Sequence, residues 1–472
     1  MRVTIHRFKY LAVSLVILLA KLSGCGEPVS EADVNIVLIV ADDLGWKDTG
    51  FMGSAYYETP NLDRLASEGM HFTNAYAAAA NCAPSRACLM SGQNTPRHGV
   101  YTVGSSARGK SIHRQLIPVV NSDSLDDRFI TLAEELKASG YTNITLGKWH
   151  LGENPKSQGF DYNVGGNTWG HPKSYFAPFQ RPDLEAPEGT CLTDLITDEA
   201  NQFIKAHTNE KFFLYLPYYA VHSPLQGKEH LVEKYTEKGG QGCQGNPKYA
   251  AMVENLDSCI GTIMENLKRS DIEEHTLVIF TSDNGGIRKV SCQDPLRAGK
   301  GSYYEGGIRV PLIVKWPGHI RGGAVSDVPV VNMDFYPTIL DIVGKTPENE
   351  RLDGVSILPL LTESGTINPR PLYWHFPIYL QAYSKGYDDG RDPLFRTRPG
   401  TVVRFGDWKL HYYYEDAGVE LYTLREDPGE RNNLAEVYPD TAKFLLDMLH
   451  TWIGETGAEI PSELNPEWVP VD

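Results

Sequence analysis

Short apolar runs recur along this chain at 36–40 (I-V-L-I-V), 142–146, 212–216, 276–280 and 311–314, and stretches of helical period such as 130–138 and 248–267 lie between them. A continuous, β-branched run has no polar face to offer solvent, so it belongs to a strand buried on both sides. Alternation of such strands with helices predicts an α/β fold with a large, mostly parallel sheet flanked by helices. Four of the five runs end in polar groups: Asp42 and Asp43, Lys148 and His150, His222, and Asp283 and Asn284. In open α/β sheets the crevice beyond the strand carboxyl ends is where ligands sit, and these side chains converge there.

After residue 362 the character changes. Aromatic-rich strand patterns at 373–376, 401–405 and 408–414 precede a last helical pattern at 441–453. The reading is a main domain over 34–362 and a smaller C-terminal α+β domain over 363–472 containing an antiparallel sheet.

The N-terminus follows a different logic. Arg2, Arg7 and Lys9 precede an apolar run over 10–20 that is too short to span a bilayer, the layout of a secretory signal. It ends in L-S-G-C, which looks like a lipobox, with Cys25 as the lipidated residue after cleavage. Residues 1–24 are therefore expected to be a lipoprotein-type signal peptide and 25–33 a linker. The expected location is the periplasm or cell surface, with membrane contact only through the lipid anchor.

A formal charge of −16, from 44 Lys plus Arg against 60 Asp plus Glu, excludes a nucleic-acid surface. An anionic substrate then requires locally concentrated cations. Of the seven cysteines, Cys259 falls on the apolar face of the 248–267 helix and reads as a buried small hydrophobe. Cys191, Cys243 and Cys292 lie in loop-like sequence, where an exported protein can form one disulfide; the pair is open.

Adjacent carboxylates such as Asp42 and Asp43 point to opposite faces of a strand, so both reach one ion only where the strand has ended and the chain turns. L-G follows them. Asp283-Asn284-Gly-Gly adds a carboxylate and a carboxamide, and four oxygen donors of this kind select a hard cation such as Ca²⁺ or Mg²⁺. Lys148 and His150 sit in T-L-G-K-W-H-L-G, His222 in Y-Y-A-V-H-S-P, and Lys300 between glycines in R-A-G-K-G-S-Y-Y-E-G-G-I-R-V-P. Taken singly, each segment reads as an ordinary strand-end loop.

The remaining segment, C-A-P-S-R-A-C-L-M-S-G from Cys82, resembles the maturation signature of type I sulfatases, and all six segments occur in the order found in that family of the alkaline phosphatase superfamily. The resemblance spans about 34–361, with a family-like tail at 408–410 and 420–434. Cys88 stands where a small residue is usual and Ser91 where threonine is frequent. The resemblance implies an alkaline phosphatase-like fold and oxidation of Cys82 to formylglycine (3-oxoalanine) by a maturation enzyme. It further implies one Ca²⁺ bound by Asp42, Asp43, Asp283, Asn284 and the modified residue 82, with Arg86 holding the formylglycine hydroxyls. The hydrated aldehyde attacks sulfur, His222 protonates the departing sugar oxygen, and Lys148 and Lys300 neutralise the sulfuryl oxygens. His150 then takes the proton from the second hydroxyl, so that sulfate leaves and the aldehyde re-forms.

Exported bacterial sulfatases of this kind act on sulfated glycans, so the expected substrate is a sulfated oligo- or polysaccharide. Trp169, His171, His375 and Arg391 are the expected sugar-binding groups, since aromatic faces beside polar donors suit a sugar. Two rival readings are a phosphate or phosphonate monoester hydrolase of the same superfamily, which is expected to add histidines around its metal, and a non-catalytic glycan-binding lipoprotein, which is expected to have lost part of the set.

Overall fold

The structure, a computed structural model, describes residues 34–348 and 351–470. The expected signal peptide, linker and lipidated Cys25 lie outside the described residues.

Eight strands build the main sheet: β1 (Asn35–Ala41), β2 (Met70–Phe72), β3 (Thr142–Leu146), β4 (Tyr162–Val164), β5 (Phe212–Pro217), β6 (Thr276–Ser282), β7 (Leu312–Lys315) and β8 (Ala324–Ser326). Their order is β4-β3-β5-β1-β6-β7-β2-β8. From β4 to β6 all neighbours are parallel. β7 runs antiparallel to both β6 and β2, so the expected mostly parallel sheet is what forms.

The two-sided burial of β1 accounts for its unbroken apolar sequence. Val37, Ile39 and Ala41 pack into a core that includes Leu256, Ile260 and Ile263 of the helix Pro247–Arg269. Ile36, Leu38 and Val40 pack on the opposite side with Ala83, Ala87 and Met90 of the helix Cys82–Ser91. Successive residues thus serve different layers, and from Ile36 onward no position is left for a polar side chain until the strand ends.

The C-terminal sheet is antiparallel, with β9 (Leu372–Phe376), β10 (Gly400–Phe405), β11 (Trp408–Tyr413) and β12 (Val419–Thr423) in sequential order. Helix Pro439–Thr456 covers one face, with Leu445, Leu449 and Trp452 against Val403, Leu410 and Leu421. On the other face Trp374, Phe376 and Val402 share a core with Tyr76, Tyr303 and Ile308 of the main domain. Lys409 extends the junction, its buried Nζ lying 2.9 Å from Glu305 and 3.0 Å from Glu430.

The open disulfide resolves as Cys243–Cys292. Cys191 is a buried free thiol, as is Cys259 on its helix.

Candidate active site

β1 stops at Ala41, and the chain then turns through a left-handed Asp43 (φ 61°). That conformation is uncommon for a residue with a side chain, and aspartate tolerates it better than most. Its consequence is that both carboxylates enter one buried space. The turn is supported by Asp48, which accepts from Gly45 N–H (2.9 Å), Tyr249 Oη (2.6 Å) and the Ser291 hydroxyl.

Cys82 opens a helix that is buried along its whole length, so its Sγ sits where the free N–H groups and positive dipole end favour anionic oxygen. The thiol lies 3.5 Å from Asp42 Oδ1 and 3.3 Å from Lys300 Nζ. Arg86, one turn on, does not fork toward residue 82. Its Nε and Nη2 meet Asp283 Oδ2 at 2.9 and 2.8 Å, and Nη1 donates to the Lys148 carbonyl at 2.5 Å.

Lys148 follows β3 and places Nζ 2.6 Å from Asp42 Oδ2. Lys300 places Nζ 2.6 Å from Asp43 Oδ1. Its backbone is held by an N–H bond to Gly286 O (2.9 Å), and a Cβ on Gly299 would meet that same carbonyl at 2.5 Å, which is why glycine precedes the lysine. Three cations and three carboxylates therefore alternate around Cys82.

His222, beyond β5, stands with Nε2 3.6 Å from Asp43 Oδ2. Its Nδ1 lies 2.7 Å from the Ser223 carbonyl, an acceptor only, so Nδ1 carries the proton and Nε2 is free to exchange one. His171 stacks on it at 5.7 Å, with ring planes 2° apart. His150 is left-handed (φ 63°) and its buried Nδ1 has no partner.

Burial dominates the titration of these groups. It raises the Cys82 thiol to about 12. It lowers His222 to about 3, with Lys300 adding to the effect, and it lowers His150 well below the usual imidazole range with help from Lys148 and Arg86. Asp42 rises to about 7, through burial and, against the pull of Lys148, through the neighbouring Asp283 and Asp43. For Asp43 burial is outweighed by Lys300, His222 and Lys148, which hold it below the ordinary carboxylate range.

These residues fit a hard cation. Asp42, Asp43, Cys82 and His222 each offer a ligand atom within 4.8 Å of the others. Asn284 donates Nδ2 to Asp43 Oδ1 (2.8 Å), which leaves its buried Oδ1 unpartnered. An unpaired carbonyl oxygen beside crowded carboxylates is what a divalent ion satisfies.

The expected sugar-binding groups divide. His171 is at the site through its stack on His222, and Trp169, 38% exposed, lies under the Arg181 guanidinium at 3.7 Å. His375 is corrected to an internal residue: it is 1% exposed, with Nδ1 on Thr401 Oγ1 (2.8 Å) and Nε2 on Glu459 O (3.0 Å), because β9 is covered on both faces. Arg391 is likewise engaged beside the C-terminal sheet, pairing with Asp416 at 2.6 Å and stacking on Tyr413 at 4.1 Å.

Sequence reading missed Arg108, Tyr383 and Arg396. Arg396 donates Nη1 to the Lys300 carbonyl (2.9 Å) and lies 3.6 Å over the Tyr383 ring. Arg108 is within electrostatic reach of both and of Cys82. They come from loops and an edge strand with no motif, so only the three-dimensional arrangement reveals them.

Comparison with known proteins agrees with this geometry. The family model described as Sulfatase matches residues 34–345, and that of the N-sulphoglucosamine sulphohydrolase C-terminal region matches 299–453. A sulfatase of Formosa agariphila is 34% identical, covering 90% of this chain and 89% of that protein. N-acetylgalactosamine-6-sulfatase of Homo sapiens is 33% identical, covering 77% and 72%. The crystal structure of Ps i-CgsB in complex with k-i-k-neocarrahexaose superposes with a TM-score of 0.73 at 29% identity, covering 92% of this chain and 95% of that one. The chain belongs to the type I sulfatase family of the alkaline phosphatase superfamily and is a sulfuric ester hydrolase.

Proposed function

We propose that this enzyme removes sulfate from a sulfated carbohydrate, that Cys82 is its formylglycine precursor, and that Asp42, Asp43, Asp283 and Asn284 hold one Ca²⁺. The observation that carries the proposal is the position of the Cys82 Sγ, buried at a helix N-terminus between Asp42 Oδ1 and Lys300 Nζ. A carbohydrate substrate is supported by the N-acetylgalactosamine-6-sulfatases among the relatives and by the carrahexaose bound to Ps i-CgsB.

The ion supplies positive charge that polarises the sulfate and favours an ionised hydroxyl on residue 82. The hydrated aldehyde provides that hydroxyl, and its second hydroxyl lets sulfate depart as the aldehyde returns, a step a serine has no means to perform. Lys148 and Lys300 move from carboxylate partners to sulfuryl oxygens, and Arg86 holds Asp283 in place. His222 donates from Nε2 to the sugar oxygen as the bond to sulfur breaks. Burial, with Lys300 and Lys148 adding to it, disfavours the charged ring, and the anionic substrate offsets the part due to the lysines. His150, unprotonated in its buried position, accepts the proton during sulfate release.

The lipoprotein-type leader supports export to the periplasm or cell surface, with Cys25 as anchor and a formylglycine-generating enzyme as the obligate maturation partner. Mass spectrometry of the peptide containing Cys82, from a host with that enzyme, tests the central claim alongside desulfation of defined oligosaccharides. An aldehyde at residue 82 in active protein is expected; full activity with an unmodified thiol refutes the assignment.

A further inference from the structure

We propose that Arg108 and Arg396 form a second anion site beside residue 82, so that the preferred saccharide carries another negative group, a sulfate or a carboxylate, next to the ester that is cleaved. This deepens the sulfatase reading and rests on it for the identity of the cleaved ester.

The chain has more acidic than basic residues, 60 against 44, and the arginines of the C-terminal domain usually find a carboxylate. Arg391 pairs with Asp416, Arg398 with Asp392 and Glu415, and Arg431 with Asp389. Arg108 and Arg396 do not. Among the described residues Arg396 spends Nε on the Gln381 carbonyl (3.0 Å) and Nη1 on the Lys300 carbonyl (2.9 Å), leaving Nη2 without a hydrogen bond. Arg108 bonds the Val103 carbonyl through Nη2 alone. Carbonyl oxygens position a guanidinium without neutralising it, so neither charge is matched by a carboxylate, and the two segments meet at Gln381, whose carbonyl takes Arg396 Nε and whose Oε1 takes the Gly109 N–H. Arg108 is accordingly held below the usual arginine range, by burial first and by Arg396 next.

Their placement relative to the reaction centre is built rather than incidental. Arg396 grips the carbonyl of Lys300, whose Nζ reaches Cys82 Sγ at 3.3 Å. The next residue is Gly301 (φ 83°), where a Cβ would stand 2.6 Å from Arg396 Nη1, so the chain is cleared for the guanidinium. The Arg108 loop is pinned on both sides of that residue. Tyr379 N–H bonds Ser106 O at 2.8 Å, Gly109 N–H bonds Gln381 Oε1 at 2.7 Å, and Arg114 Nη1 bonds the Ala107 carbonyl at 2.9 Å. Arg396 covers one face of Tyr383 at 3.6 Å, and Tyr383 is 47% exposed, which puts an accessible aromatic surface directly against the guanidinium. Two guanidinium groups pre-positioned by carbonyls, without a carboxylate partner, match an added anionic group on the saccharide.

Calorimetric binding to the full-length Cys82→Ser protein tests this without turnover. Three oligosaccharides share one sulfate ester; one adds a second sulfate, one adds a uronate carboxylate, and one adds neither. At least one dianionic member is expected to bind at least ~10-fold more tightly than the monoanionic comparator, the size of one charge-assisted contact pair. Which member does so distinguishes sulfate from carboxylate. Arg108→Gln should bring that ratio to within ~3-fold of unity, whereas Arg321→Gln, a distant exposed pair with Glu363, should leave the ratio unchanged. Ratios near unity for both dianions in the parent protein, or an unchanged ratio in Arg108→Gln, overturn the proposal. Turnover of a simple aryl sulfate by the matured enzyme separately reports on the sulfatase reading, since that substrate has no second anion.

Discussion

The Nζ of Lys300 lies 3.3 Å from the Sγ of Cys82. The same ammonium is 2.6 Å from Asp43 Oδ1, so one cation couples the nucleophile position to the carboxylate cluster. Lys300→Ala is expected to lower kcat/KM on a sugar sulfate by about 10²–10³-fold, the usual loss on removing a preorganised charge from an oxyanion site. Circular dichroism should be unchanged. Retention of full activity would remove Lys300 from the chemistry.

His222 is tested by leaving group. On a sugar sulfate, whose alkoxide leaves poorly without a proton, His222→Ala should reduce kcat/KM by about 10²–10⁴-fold. An activated aryl sulfate needs little protonation and should lose far less. Equal losses on both substrates would argue against His222 as the acid.

Removal of divalent cations should lower both activity and melting temperature, and calcium should restore them. An ion present at about 100 times its Kd adds about 2.7 kcal/mol to stability. Asn284→Ala, which deletes the unpartnered Oδ1, should weaken the calcium-dependent rise in Tm. A rise as large and as tight as that of the parent would exclude Asn284 as a ligand.

The disulfide Cys243–Cys292 closes a separation of 49 residues. Chain entropy assigns such a loop about 4 kcal/mol. Ser291, adjacent to the bridge, donates to Asp48 beneath the Asp42–Asp43 turn. The Cys243→Ser/Cys292→Ser double variant should therefore lose stability and also bind calcium less tightly. Unchanged calcium affinity would show that the bridge acts on stability alone.

Acid should destabilise the fold through buried histidines outside the reaction centre. Burial lowers His98 to about 3 and His375 to about 4. In the unfolded chain these rings bind protons near pH 6.5. Stability is thus fully present above pH 6.5 and declines as pH falls through about 4 toward 3, by on the order of a few kcal/mol. His98 Nδ1 accepts the Val100 N–H at 3.1 Å, a role asparagine can mimic. His98→Asn should flatten the decline of Tm with falling pH; an unchanged slope would assign the acid sensitivity elsewhere.

Much of the fold was legible because the strands of the sheet centre are buried on both faces and therefore have unmistakable sequences. The five predicted runs coincide with β1, β3, β5, β6 and β7, the last beginning one residue ahead of its strand. The edge strands β4 and β8, and β2 beside β8, are three residues each, too short to carry a period. The carboxylates, Lys148 and the two histidines were found because they follow strands, and Lys300 because glycines flank it in a family-like segment. Arg108 and Arg396 escaped because nothing local marks a guanidinium that lacks a partner. His375 misled for the converse reason: an aromatic strand with polar residues looks like a sugar platform, and only the covering helix Pro439–Thr456 shows that the ring is enclosed. The choice among three loop cysteines depended on how two distant loops meet.

The buried contacts of Lys409 with Glu305 and Glu430 have a consequence for modularity. Glu305 lies five residues after Lys300, and Arg396 also grips that segment, so the loop bearing a reactive-centre cation is seated on the C-terminal sheet. That sheet is thus no detachable cassette. A chimaera carrying another sulfatase's tail would need a matching cationic donor for Glu305, and a chain truncated before β9 would fail chemically even if its large sheet assembled intact.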